Sequence, residues 1–142
     1  MILVPAERLD GVRTRLADAG YAVVEATTPV DADLRRAQAE LAAALRLPSP
    51  AERNLDAMAD TLRDLTQIWD GRMVALLWKD AERLACADGR GWWILGEILD
   101  DVDDLTVVAF GEARIGRPPA APDVPSEDGG GRDSGRDAGG DR

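Results

Sequence analysis

The chain has 142 residues, 45% of them apolar, enough to fill the core of one domain and short for two. Its 27 Asp and Glu against 17 Lys and Arg give a net charge of −10, the reverse of the basic footprint that nucleic-acid binding needs. Histidine is absent and cysteine occurs once, at Cys86. Those two counts exclude Ser-His-Asp and Cys-His catalysis, His-ligated zinc, an internal disulfide and a cysteine-cluster metal site. Neither GxxxxGK[ST] nor GxGxxG after a strand is present, so no phosphate-cradling loop is indicated. No cofactor and no metal are expected.

The apolar opening Met1-Ile2-Leu3-Val4 ends at Pro5, well short of the roughly 7–15 residues of a secretory signal core. No apolar run approaches the ~20 residues of a membrane span. The lone cysteine fits a reducing compartment, and a cytoplasmic protein without membrane contact is expected.

Residues 2–4 suit a short strand. Leu9, Val12 and Leu16 carry helical spacing through 6–19, and Gly20 is a natural stop. Residues 21–27 are rich in strand formers. Asp31 is placed to cap a helix that runs to about Arg46, with Leu34, Leu41 and Leu45 on one stripe. Pro48-Ser49-Pro50 breaks the chain, and Asn54 then caps a helix carrying Leu55, Met58, Leu62 and Leu65. Residues 73–78 form a continuous apolar run, which marks a strand buried on both faces. A short helix near 79–86, a helix over 91–102 and a second buried strand over 105–110 complete the pattern. Strands separated by helices predict an α/β fold with a small three- to four-stranded parallel sheet and helices packed around it.

From Ala113 onward the composition turns to Arg, Pro, Gly, Ser and Asp, with no large apolar residue after Val124. Such a segment offers too little burial to offset the entropy of ordering. The expected organisation is a folded domain over 1–112 and a disordered tail over 113–142. The tail holds five Arg and six acids, so nearly all the net charge precedes it.

That charge falls in stripes. With Leu55 at 0° on a helical wheel, the apolar residues of its helix gather between about 280° and 360°, while Asp56, Asp60 and Asp64 lie at about 100°, 140° and 180°. Like charges at that spacing cost a few tenths of a kcal/mol per pair, and Arg63 lies off the stripe. Glu97, Asp100 and Asp101 follow on the later helix and Asp103 and Asp104 just after it, with no base between Arg90 and Arg114. Asp101 to Asp104 also sit where the helix dipole disfavours negative charge. Acidic faces often serve only to solvate amphipathic helices. Glycosidase-type carboxylate pairs and Asp-held Mg²⁺ lack a supporting motif here. A rigid row of carboxylates also imitates a phosphate backbone and suits a basic cleft.

Asn54-Leu55-Asp56-Ala57-Met58-Ala59-Asp60-Thr61-Leu62 resembles the N-L-D-A-[LM]-x-D-x-L segment of the barstar family, intracellular inhibitors of barnase-type secreted ribonucleases. Asp33-Leu34 through Leu47-Pro48 is similar to that family's first helix, and Val74 through Trp78 to its middle strand. Glu97 through Val108 is similar to its last helix and strand. The likeness covers about residues 21–110, which leaves 1–20 as an additional strand and helix. It implies a non-enzymatic, monomeric inhibitor whose acidic helix plugs the basic active site of a nuclease. Asp60 would stand in for the scissile phosphate, with Asp56, Glu97 and Asp101 as further contacts. The family's aromatic-aromatic-Gly loop is replaced by the stretch around Pro50, its helix aromatic by Ala59, and a small polar residue by Arg63. A partner other than barnase itself, or a binding module that has lost nuclease inhibition, is therefore also considered.

Among the remaining residues, Trp78 is expected to pack in the core and Cys86 to be a small packing residue. Trp92 and Trp93 point about 100° apart, so one of them is a candidate partner contact. Trp69 is a candidate exposed anchor.

Overall fold

The structure, a computed structural model, describes residues 1–112. The expected tail lies outside the described residues. Four strands, β1 (Leu3–Val4), β2 (Ala22–Thr27), β3 (Val74–Lys79) and β4 (Leu105–Phe110), form one sheet in the order β1-β4-β3-β2. Every neighbouring pair is parallel, and the α/β class and small parallel sheet read from the sequence are observed. The helices are α1 (Leu9–Asp18), α2 (Leu34–Ala44), α3 (Leu55–Leu62), α4 (Leu65–Ile68), α5 (Glu82–Ala87) and α6 (Gly89–Asp100), with 3₁₀ turns at Ala6–Arg8 and Ser49–Glu52.

The central strand β3 is buried from Val74 to Trp78 because both sheet faces are covered. Val74, Leu76 and Trp78 face the main core with Leu41, Leu45, Met58, Leu62, Leu95 and Leu99. Each such leucine, fully withdrawn from water, contributes about 1.5–3 kcal/mol. Ala75 and Leu77 alternate to the other face, where α1 lies. Arg13 of α1 donates to Glu25 Oε2 at 2.6 Å, and Glu25 is the register partner of Leu77, so α1 covers this second face. The Trp78 indole donates to Thr28 Oγ1 at 2.8 Å and stacks at 5.2 Å on Trp92, in accord with a core role.

Several boundaries differ from expectation. Asp33, not Asp31, caps α2: it adopts extended backbone and accepts from Arg36 N at 2.8 Å. Asp31 instead pairs with the Arg36 guanidinium at 3.6 Å. At its other end α2 stops at Ala44, because Arg46 turns to φ 61° and Leu47 N returns to Ala42 O at 2.9 Å while Arg46 N reaches Ala43 O at 3.1 Å. Arg46 then lies 4.2 Å above the Trp69 ring, whose Nε1 donates to Leu45 O at 2.9 Å. Trp69 is thus a half-buried clasp on the end of α2 and not an exposed anchor. Cys86 is exposed, contrary to its expected packing role. Leu84 fills the inward side of α5, and a residue two positions later points about 200° away.

A candidate partner-binding groove between two helices

The acidic helix begins where Asn54 adopts extended backbone and its side chain accepts from Ala57 N at 3.1 Å. Pro50 O accepts from Asn54 N at 3.0 Å, and Gln38 Nε2 donates to Ala51 O at 2.8 Å. The 3₁₀ turn is thereby fixed to α2 and aims the start of α3. Met58 and Leu62 face the core, which leaves Asp56 and Asp60 exposed on the opposite side.

Asp64 does not continue that row. Thr61 Oγ1 donates back to Ala57 O at 2.9 Å and to Met58 O at 3.1 Å, and Arg63 N and Asp64 N close tighter turns onto Asp60 O and Thr61 O. Such bonds compete with the helical ladder, so α3 ends at Leu62. Leu65 opens the separate α4 and is fully buried there.

The opposing helix α6 starts at Asp88, whose Oδ1 accepts from Gly91 N at 2.9 Å and whose Oδ2 accepts from Leu34 N at 3.1 Å. One carboxylate thus caps α6 and ties it to the first turn of α2. A side chain at position 91 would meet Asp88 Oδ2 at 2.7 Å and Leu34 Cβ at 2.9 Å, so this close approach requires glycine.

Between α3 and the C-terminal half of α6 lies an open groove of about 500 Å³. Ala59, Leu62 and Arg63 form one wall, and Glu97, Ile98, Asp101, Val102, Asp103 and Asp104 form the other. Four carboxylates therefore face one guanidinium across an apolar floor. The groove brings together Ala59, Arg63, Glu97 and Asp101 of the residues singled out in the sequence. Asp60 sits beside it, 3.0 Å from Arg63 Nη1, with both side chains largely in water. Asp56 borders a second depression of about 650 Å³, shared with Arg35, Arg53 and Asp88. Pro50 is exposed and outside the groove, where its carbonyl positions α3. The floor residues Ile98, on α6, and Val102, just past its end, escaped notice as site residues, although their four-residue spacing in the sequence was the available signal.

Among the described residues no group of three or more His, Cys, Asp or Glu side chains is arranged to hold a metal ion. No helix among them is long and apolar enough to cross a membrane. The arrangement offers fixed negative charge around a groove that a cationic side chain can enter.

Compared with known proteins, the chain has no match among curated proteins or solved structures. The family model for Barstar (barnase inhibitor) matches residues 21–114, which takes in β2 through β4, both walls of the groove and every residue proposed from the sequence. The chain belongs to the barstar family, a family of ribonuclease inhibitors and not of enzymes.

Proposed function

We propose that this protein is an intracellular inhibitor, in the manner of an antitoxin or immunity protein, of a secreted ribonuclease. In this reading it acts as a cytoplasmic monomer and blocks the basic active site of the nuclease with α3 and the adjoining acids of α6. The observation that carries the reading is the groove itself, in which Glu97, Asp101, Asp103 and Asp104 line one wall beside the acidic face of α3. Carboxylates held at fixed positions imitate the phosphates that a nuclease cleft is built to bind, and they need little reordering on association. Asp60 takes the place of the scissile phosphate, with Asp56, Glu97 and Asp101 pairing further cations.

A second reading has its own observation. Arg63 already occupies Asp60 at 3.0 Å and places a cation among the acids. That arrangement favours a partner unlike barnase, or a regulatory binding module that keeps the fold without nuclease inhibition.

Titration against barnase-type ribonucleases, with RNA cleavage as the readout, tests both. Asp60→Ala is expected to weaken the complex at least about thirtyfold, mainly through faster dissociation, because the cations of the partner stay buried and unpaired. Arg63→Thr releases Asp60 and tightens binding where the cleft is barnase-like. Equally small effects from Asp60→Ala and from Asp103→Ala at the rim would reduce the acidic helix to a solvated surface and support the second reading.

A further inference from the structure

The groove has an aromatic neighbour that the acids do not explain. Trp93 and Glu97 of α6 and Asp101 at its C-cap follow one another at four-residue intervals, so they share one stripe of the helix. Glu97 and Asp101 line the groove, and Trp93 lies just beyond that lining, one helical turn before Glu97 on the same stripe. Trp93 is 41% exposed, whereas Trp92 is 4% exposed. Trp92 is held inward by its stack on Trp78 at 5.2 Å, and adjacent helical residues diverge by about 100°, so Trp93 has no inward position to take. Among the described residues the other exposed large apolar side chains are Ile2, Val30 and Met73, none of them on a helix. On the α3 wall of the groove Ala59 carries only a methyl group.

An indole left partly in water forgoes part of its burial gain, and it lies here on one helical stripe with Glu97 and Asp101. We propose that Trp93 is the aromatic anchor of the interface, packing against the basic protein that enters the groove while Glu97 and Asp101 pair with its cations. The inference rests on the inhibitor reading above and adds to it a residue that extends the contact surface beyond the acids. The occupant is a basic ribonuclease surface, because a wall of carboxylates next to an indole favours arginine twice over. The guanidinium pairs with carboxylates and also stacks on the aromatic face. Arg46 already makes that kind of stack on Trp69 within this chain, at 4.2 Å. Tryptophan is also among the side chains that dominate measured interface energetics.

The test uses the full chain and a panel of purified barnase-type ribonuclease domains, with the domain that the wild-type protein binds most tightly as the probe. Trp93→Ala is expected to weaken binding at least about thirtyfold, and Trp93→Phe to recover most of the loss. The free variants should melt with the wild type, since the side chain lies largely outside the core. Acrylamide quenching supplies a second readout: complex formation should protect a fluorescent fraction that is missing from Trp93→Phe. Trp93→Ala binding within about threefold of wild type, while Asp60→Ala and Glu97→Ala still weaken the complex, would overturn the anchor and leave the inhibitor reading standing. Early melting of both Trp93 variants, with no recovery by phenylalanine, would make Trp93 a packing residue and also overturn it. Failure of the wild-type protein to bind any domain of the panel would remove the inhibitor reading, and the anchor with it.

Discussion

Glu25 holds two cations at once: the Arg13 guanidinium at 2.6 Å from α1 and the Lys79 ammonium at 3.2 Å from the end of β3. The Arg13 hydrogen bond, ahead of the Lys79 contact, keeps the Glu25 carboxyl below the ordinary glutamate range. The native state therefore releases this proton at lower pH than the unfolded chain does. The resulting stability is present above the ordinary glutamate range and is lost as pH falls through the lowered native value. Glu25→Gln should be less stable than wild type near neutral pH and should lose less on acidification. Urea midpoints of both proteins at about pH 7 and about pH 3 measure the difference. Parallel loss in the two proteins would assign the acid sensitivity to other carboxylates. Because the pair joins α1 to β2, the same titration reports how firmly the second sheet face is covered.

Asp88 acts at the scale of elements, since one carboxylate closes the start of α6 and fastens it to α2. These two helices lie on the main-core side, and α6 with the turn that follows it carries the acidic wall of the groove. Removing a cap costs about 0.5–2 kcal/mol, and here a second backbone N–H, that of Leu34, also loses its acceptor. Asp88→Ala is expected to lower Tm by several degrees or more, at about 4–8 °C per kcal/mol for a domain of this size. Asp88→Asn should recover part of the loss, because an amide keeps one acceptor oxygen where the carboxylate has two. Thermal melts followed by far-ultraviolet circular dichroism decide it. An unchanged Tm for Asp88→Ala would mean that water replaces both bonds without cost.

For the whole molecule the governing quantity is the net charge of −10, which lies almost entirely before residue 113. The carboxylates along the groove focus that field toward the face assigned to the partner. Association with a basic nuclease should slow steeply as added salt shortens the Debye length below about 8 Å, while dissociation changes little. Asp103→Ala, which removes a groove-lining acid near the rim, should lower the association rate at low salt and have almost no effect at high salt. Stopped-flow mixing at two ionic strengths checks both. A salt-independent association rate would mean that the acids do not face the partner. The division into a folded 1–112 domain and a tail is proposed on composition, since apolar content falls away after Val124.

Much of this architecture is legible in the chain itself. The apolar run of β3 could be satisfied only by burial, whereas β4, expected to be buried as well, leaves Thr106, Val107 and Val108 half-buried. Helices between the strands leave a parallel sheet as the natural solution. Asn54 and the stripes of Asp56 and Asp60 are local features, because caps and helical faces depend on residues within one or two turns. The N-L-D-A segment likewise pointed to the barstar family that the family model identifies. What periodicity does not encode is which residues of separate elements meet. Asp88 reaching Leu34, Trp69 closing over Arg46, and Ala59 facing Glu97 and Asp101 across a groove are long-range contacts. They are set by how helices seat on the sheet. The end of α3 at Leu62 was a contest of local bonds in which Thr61, turning back on Ala57 and Met58, prevailed over a wheel that ran on to Leu65. Only the packed structure decides such contests, because burial of Leu65 in its own short helix rewards the break.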